Sequence, residues 1–321
     1  MSIVALLSSI LLASAAPHPD LTLRTQAQDR VPDVTITGVP TPERIRAFVD
    51  TIAAPPQYRG LARWEMPVCA GTVNLDREAA QPILDRIALA AQDLDLEVGE
   101  PGCDPNLVVI FTTDGSGLAN AMVETDRSLF YVGVGGLNRG PAALRRFQAS
   151  DAPVRWWPMS IPVNSETGER AARIPGEPHS RSVPLHIARS VGCGNPDDCP
   201  LGAPIIQTTS ASRLRSIVSD ALYKTIVIVD VDQMQGVDAA SLGDYLAFVS
   251  LAQIDPEGDT AGYDTVLNLF ESSGPQGMSE WDRAYLQALY NTRTGFRNAS
   301  AQAAEVVNLM VRDRRRAARA E

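Results

Sequence analysis

Four acidic residues of this chain have types and a spacing that could support acid–base or metal chemistry. Asp244 stands inside the apolar run 242–252, and Asp255, Glu257 and Asp259 follow it in one short loop. A carboxyl group among apolar side chains could act as a general acid or base with a shifted pKa, or as a metal ligand. An active hydrolase built on these four acids is therefore one hypothesis for the function.

Each of these acids also has a simpler structural interpretation. Ser241 and Asp244 have the spacing of a capping box, in which Asp244 would satisfy the first backbone N–H donors of the helix. Its charge would also lie at the positive end of the helix dipole. The loop acids resemble a calcium site only in their number, because the glycine and the distal glutamate of an EF-hand are missing. We therefore expect Asp244 to cap its helix and the acidic loop to face solvent.

Histidine, the other residue type that commonly serves catalysis and zinc binding, is scarce. The chain has 3 histidines, and none follows His186. His179 and His186 lie in a segment rich in proline, glycine, serine and arginine, and their spacing matches no metal-binding motif on a helix. We expect both to be exposed loop residues. A hydrolase that uses them is the second form of the catalytic hypothesis.

Hydrophobic spacing and helix caps predict the elements that must position these residues. Short apolar runs predict strands at residues 64–75, 106–113 and 225–230. Capping residues and helical spacing predict helices at residues 41–54, 76–94, 117–127, 141–150, 212–223, 242–252, 279–290 and 298–319. The first two strands and the helix between them form a βαβ unit, whose crossover is expected to be right-handed.

These elements indicate an α+β fold with a mixed β-sheet, a buried central helix and a C-terminal helix pair. We expect a single domain at residues 41–297, preceded by a disordered lead-in at 16–40. A loop-rich insert covers about residues 158–210, and a loop of that length is usually a functional cover, an elaboration or a disordered insert. Residues 298–321 form a basic C-terminal helix, whose arginines are expected to be solvated cations at the negative end of the helix dipole.

The back half of the chain also resembles part of a known family. Its last capped helix has the pattern apolar-[ST]-x-x-D-x-x-x-L-x-x-L-Y, which begins at Met278 and includes a capping box of Ser279 and Asp282. An apolar turn at 265–270 precedes this helix, with Leu267 where the family has a methionine. The arrangement is similar to the Met-turn and terminal helix of matrixin-type metzincin peptidases and of related bacterial zincin-like proteins.

This resemblance implies a zincin-like core and an ancestral peptidase activity. It covers residues 242–290, and the front half of the chain agrees only in the order of its elements. In the family, a buried helix carries H-E-x-x-H, whose histidines bind zinc and whose glutamate is the general base. The residues near these positions are Asp244, Tyr245 and Phe248. None of them can take the place of the corresponding histidine ligand or glutamate base. Because no histidine follows His186, the sequence excludes such a zinc site. The resemblance then implies a non-catalytic descendant without a cofactor, or one with unrelated chemistry.

The N-terminus and the cysteines predict an exported protein. Residues 1–15 have the apolar core and the small-residue cleavage site of a secretory signal. Local geometry favours the disulfide pairs Cys69–Cys103 and Cys193–Cys199, since neither spacing is that of a zinc site. We expect a periplasmic or secreted protein without stable membrane insertion once the signal is removed.

The net charge of the chain makes one class of binding partner, nucleic acid, unfavourable. The formal net charge of −10 disfavours binding to nucleic acid, because an acidic surface repels the phosphate backbone. The remaining expectation is a binding or structural module of the cell envelope. Its ligand would be an envelope protein, a peptide or a polymer that the sequence does not identify.

Overall fold

The α+β prediction is confirmed by the computed structural model, which describes residues 41–55, 59–130, 139–168, 215–272 and 274–319. Within these ranges, helices accompany a five-stranded, mainly parallel sheet. The strands are β1 (Arg63–Trp64), β2 (Ala70–Val73), β3 (Leu107–Thr112), β4 (Val154–Asn164) and β5 (Val218–Asp230). The α-helices are α1 (Pro42–Ile52), α2 (Arg77–Gln92), α3 (Gly115–Thr125), α4 (Gly140–Ala149), α5 (Ala239–Leu251), α6 (Glu280–Tyr290) and α7 (Ala299–Ala317).

β5 organises the sheet. It pairs in parallel with β3 and β1, and antiparallel with β4. β2 pairs in parallel with β3, so α2 is the helix that connects two neighbouring parallel strands. Thr112 at the end of β3 stands beside Asp230 at the end of β5. Both strands therefore end at the same edge of the sheet, and the chain continues from β5 into α5.

Three predicted elements were wrong, and proline explains part of the error. Residues 158–164, expected to open the loop-rich insert, belong to β4, whose prolines lie on a strand that pairs only with β5 among the described strands. Proline is tolerated there because an edge strand needs no second row of N–H donors. The helix expected at 212–223 is the start of β5 from Val218 onward. The strand expected at 64–75 is two strands, β1 and β2.

The sheet separates two hydrophobic layers. Along β5, Val227 and Val229 pack with α1, α2, α5, α6 and α7, whereas Ile226 and Ile228 pack with α3 and α4. Successive side chains of a strand point to opposite faces, so the apolar run of β5 serves both layers. Helix α5 is buried along nearly its whole length because it lies inside the larger layer.

Gly243 sets the approach between α5 and α2. A Cβ atom at this position would lie 2.7 Å from the Cβ atom of Arg86 and 3.3 Å from the Cα atom of Ile83. Glycine therefore lets the two helices come closer than any larger residue would allow. This contact also brings Arg86 of α2 beside the first turns of α5.

The Cys69–Cys103 disulfide is formed, with 6.1 Å between the two Cα atoms. It joins the chain before β2 to the loop before β3. Cys193 and Cys199, the signal at 1–15, the lead-in at 16–40 and most of the insert lie outside the described residues. None of the described helices combines the length and apolar character that a bilayer crossing requires.

Candidate functional site

Helix α5 begins earlier than the sequence pattern suggested, and this changes the role of its acid. Asp238 is the N-cap residue, and its carboxylate accepts hydrogen bonds from the Ala240 and Ser241 backbone N–H groups. The Ser241 hydroxyl also donates to Asp238, and these bonds lower the pKa of that carboxyl group. The prediction that Asp244 caps the helix was therefore wrong, because Asp244 lies more than a turn inside it.

Asp244 instead joins three helices. Its side chain is 4% exposed and accepts two hydrogen bonds from the Arg86 guanidinium, at 2.7 and 2.6 Å. It also accepts a hydrogen bond of 2.9 Å from the Met278 backbone N–H, just before α6. The hydrogen bonds that Arg86 donates to Asp244 raise the pKa of Arg86. These contacts form a structural ion pair between Arg86 and Asp244, which links α2, α5 and the start of α6.

The other two residues that the resemblance placed at H-E-x-x-H, Tyr245 and Phe248, pack against aromatic rings. The Tyr245 ring lies 6.1 Å from Trp156 and 5.1 Å from Phe270, measured between ring centroids. Burial raises the pKa of the Tyr245 hydroxyl, so this group stays protonated at neutral pH. Phe248 is fully buried and contacts Tyr285. Neither side chain can serve as a base or as a metal ligand in this environment.

The loop acids do not converge with Asp244. Asp255 pairs with Arg139 at 2.8 Å, and Glu257 pairs with Arg146 at 2.5 Å. Asp259 accepts a hydrogen bond from a backbone N–H two residues further on, as in a turn. Asp244 lies about 10 Å along the axis from the C-terminal end of α5, whereas the loop follows that end. The shared pocket that the hydrolase hypothesis needs is not formed by these four acids.

The remaining candidates from the sequence are metal-binding side chains and the two histidines His179 and His186. In the part of the chain that the structure describes, no three His, Cys, Asp or Glu side chains are grouped so that they could hold a metal ion. His179 and His186 lie outside the described residues. The hypothesis that these histidines act in catalysis therefore stays a prediction.

The capping box predicted for α6 is present and does more than cap. Asp282 is fully buried, and its Oδ2 atom accepts hydrogen bonds from the Ser279 N–H at 2.9 Å and the Val266 N–H at 2.7 Å. Its Oδ1 atom accepts a third from the Thr265 hydroxyl at 2.6 Å. Asp282 thereby ties the apolar turn at 265–270 to α6. Burial raises the pKa of Asp282, although its hydrogen bonds act in the opposite direction.

A cleft of about 110 Å³ lies beside the position that the resemblance assigns to a catalytic glutamate. Its walls come from α4, the start of β4, the acidic loop and α5, and we call it the β4 cleft. Tyr245, Trp156 and Phe147 give it an aromatic lining, and Arg139 and Arg146 contribute cations that already have acidic partners. This composition suits recognition of a partly apolar ligand better than acid–base chemistry.

Arg155 is the residue at this cleft that the sequence reasoning missed. It contributes to the cleft wall but is 3% exposed, and its Nη1 atom has no hydrogen-bond partner among the described residues. Its guanidinium lies against Gly115, where a Cβ atom would be 2.8 Å from Nη2. Burial lowers the pKa of Arg155, and the negative charges of Asp230 and Asp114 oppose this effect. An arginine inside the apolar run of β4 was the available signal.

No protein-family model, curated protein or solved structure matches this chain. The site is therefore interpreted from its own geometry.

Proposed function

We propose that this chain is an exported, non-catalytic protein of zincin-like ancestry that binds peptides in the β4 cleft. The observation that carries the proposal is how the fold uses the three residues that lie where the resemblance expects H-E-x-x-H. Asp244 is engaged by Arg86 and a backbone N–H, Tyr245 is packed between aromatic rings, and Phe248 is fully buried. Each of them is engaged in the fold, so none of these three side chains is free to activate water.

The β4 cleft supports the choice of a binding function. Aromatic side chains offer large apolar contact area, and arginines on the walls can reorient toward a ligand carboxylate or carbonyl. The cleft is small, so we expect it to hold one or two side chains of a peptide rather than a folded protein surface. An exported peptide-binding module of this kind needs neither zinc nor a nucleophile.

Metal analysis and a cleavage assay test the absence of catalysis. The purified mature protein is analysed for metals by mass spectrometry and incubated with a fluorogenic peptide library. We expect no stoichiometric zinc and no time-dependent cleavage. One tightly bound zinc ion per chain together with peptide cleavage would refute the non-catalytic proposal.

Affinity selection from an octapeptide library tests the binding function. Ala152 lines the β4 cleft, so Ala152→Trp should fill it and abolish peptide retention. Ala142→Trp is the matched control, because Ala142 is exposed on α4 and does not line the cleft. If the wild-type protein retains no peptide, or if both variants retain as much as the wild type, the β4 cleft is not a peptide site.

A further inference from the structure

A second cleft, of about 170 Å³, has no residue of α5 in its wall and is rich in arginine. Arg59 and Arg63 line it from the segment that leads into β1, and Arg293 and Arg297 line it from the loop between α6 and α7. The first residues of β5 form its floor. We call it the basic cleft, and nothing in the proposed peptide-binding function depends on it.

Two of the four arginines carry charge that the described residues do not neutralise. Arg59 pairs with Asp220, and Arg63 pairs with Glu65 while also donating to backbone carbonyl groups at the end of α6. For Arg293 and Arg297, no ion pair is formed with any residue in the described ranges. The cleft is therefore locally positive in a chain whose net charge is −10. Such a contrast attracts anions to one place on an otherwise repulsive surface.

The loop that carries the two unpaired arginines is held in place. The Gly295 N–H donates to the Ser219 hydroxyl at 3.0 Å, and the Ser216 N–H donates to the Gly295 carbonyl at 2.8 Å. The Thr294 hydroxyl donates to the Ser165 carbonyl at 2.6 Å. Gly295 has a φ angle of 75°, a left-handed conformation that favours glycine. A fixed loop loses little conformational entropy when its side chains engage a ligand.

The neighbouring side chains and helix α7 also favour the binding of an anion in the basic cleft. Arg293 lies over the Phe296 ring, 5.3 Å from its centroid, which orients the guanidinium while leaving its N–H groups available. Asn298, the N-cap residue of α7, also lines the cleft. The positive end of the helix dipole therefore faces the region where the arginines lie. A shallower groove shares Arg293 and Arg297 with the cleft and continues along α7.

We propose that the basic cleft is an oxyanion-binding site, in which Arg293 and Arg297 bind a carboxylate or phosphate group of the ligand. A planar guanidinium presents paired N–H donors that match the two oxygens of either group. Arg59 and Arg63 keep their present partners and supply the wall of the site.

Titration calorimetry with two simple anions at low ionic strength tests the site. Inorganic phosphate and succinate are titrated in separate arms, so that the phosphate and carboxylate sources are distinguished. We expect saturable binding in at least one arm, with an affinity that falls as salt is added. Arg293→Gln/Arg297→Gln should weaken it at least about tenfold, because charge-assisted hydrogen bonds are lost.

Arg315→Gln/Arg319→Gln is the matched control, since it removes the same charge from exposed positions of the C-terminal region. It should leave the affinity within about twofold of the wild type, because Arg315 lies about 25 Å along α7 from the N-cap Asn298 and cannot donate hydrogen bonds to the ligand. Circular dichroism melting confirms that both variants fold. Absence of binding in both arms, or an equal loss in the two double variants, would overturn the proposal. Neither result bears on the β4 cleft, which is tested with peptides.

Discussion

Asp282 offers the sharpest test of how the back half of the fold is held together. Replacing it with alanine leaves two backbone N–H groups, those of Val266 and Ser279, and the Thr265 hydroxyl without their acceptor. Each buried donor without a partner costs about 1–3 kcal/mol, whereas the Ser279 side chain still caps α6. Removing a buried carboxylate recovers part of its desolvation cost. We therefore expect Asp282→Ala to lower the free energy of unfolding by about 3 kcal/mol.

Asp282→Asn separates acceptor geometry from charge. An asparagine whose oxygen takes the place of Oδ2 keeps both backbone hydrogen bonds, and its amide can donate to the Thr265 hydroxyl once that hydroxyl rotates. We expect a loss of about 1 kcal/mol or less. Urea denaturation followed by tryptophan fluorescence measures both variants. Equal losses in the two variants would show that the charge, and not the acceptor geometry, holds the turn at 265–270 to α6.

Comparison of the wild type with Asp282→Asn gives a pH dependence of the free energy of unfolding with a defined sign. Burial raises the pKa of Asp282 in the folded state above the ordinary unfolded value of about 3.9. The folded state then binds the proton more tightly, so this stabilising contribution is complete below about pH 4 and is lost as pH rises through the folded-state pKa. Asp282→Asn cannot titrate. The stability of the wild type relative to Asp282→Asn should therefore fall from about pH 4 upward, and a rise would contradict the raised pKa.

Three further predictions concern contacts in the front half of the fold. Arg86→Ala should cost about 1–2 kcal/mol by urea denaturation, less than for a fully buried pair because the Arg86 side chain is 38% exposed. In the Asp244→Asn background that cost should shrink, and an unchanged cost would argue against the ion pair. Cys69→Ala/Cys103→Ala should lower the free energy of unfolding by about 3–4 kcal/mol, from a sequence separation of 34, and an unchanged value would contradict a stabilising disulfide. Gly243→Ala should lower the melting temperature, because its Cβ atom would overlap Arg86, and an unchanged melting temperature would mean that the helices separate freely.

Local patterns predicted local structure well. The Ser279–Asp282 capping box was identified from a three-residue spacing, and both of its hydrogen bonds are present. The same type of pattern misled at Ser241 and Asp244, because Asp238 stands three residues before Ser241 and competes for the cap. Spacing alone cannot decide between overlapping caps. The choice is made by where the helix packs.

Contacts between distant segments were beyond the reach of the sequence patterns. Asp244 pairs with Arg86, which is 158 residues earlier in the chain, and no periodicity links the two. The basic cleft joins three segments, represented by Arg59, Ser219 and Arg293, whose proximity depends on the strand order of the sheet. The fold class could be predicted because most helices, β3 and the second half of β5 carry their own signals, whereas β4 and the start of β5 do not. Both clefts required the register of β5 with its neighbours.

The packing of α5 bears on the proposed lack of catalysis more directly than the absence of an H-E-x-x-H motif does. A catalytic helix must present polar groups to an open cleft, and such groups are commonly held at a cost in stability. Here the corresponding residues, Asp244, Tyr245 and Phe248, are buried and engaged in packing or in hydrogen bonds, so each stabilises the fold. We infer that a single substitution to histidine at these positions would destabilise α5 before it could bind zinc. Introducing the whole motif would require the contacts with Arg86, Trp156 and Tyr285 to be rebuilt as well.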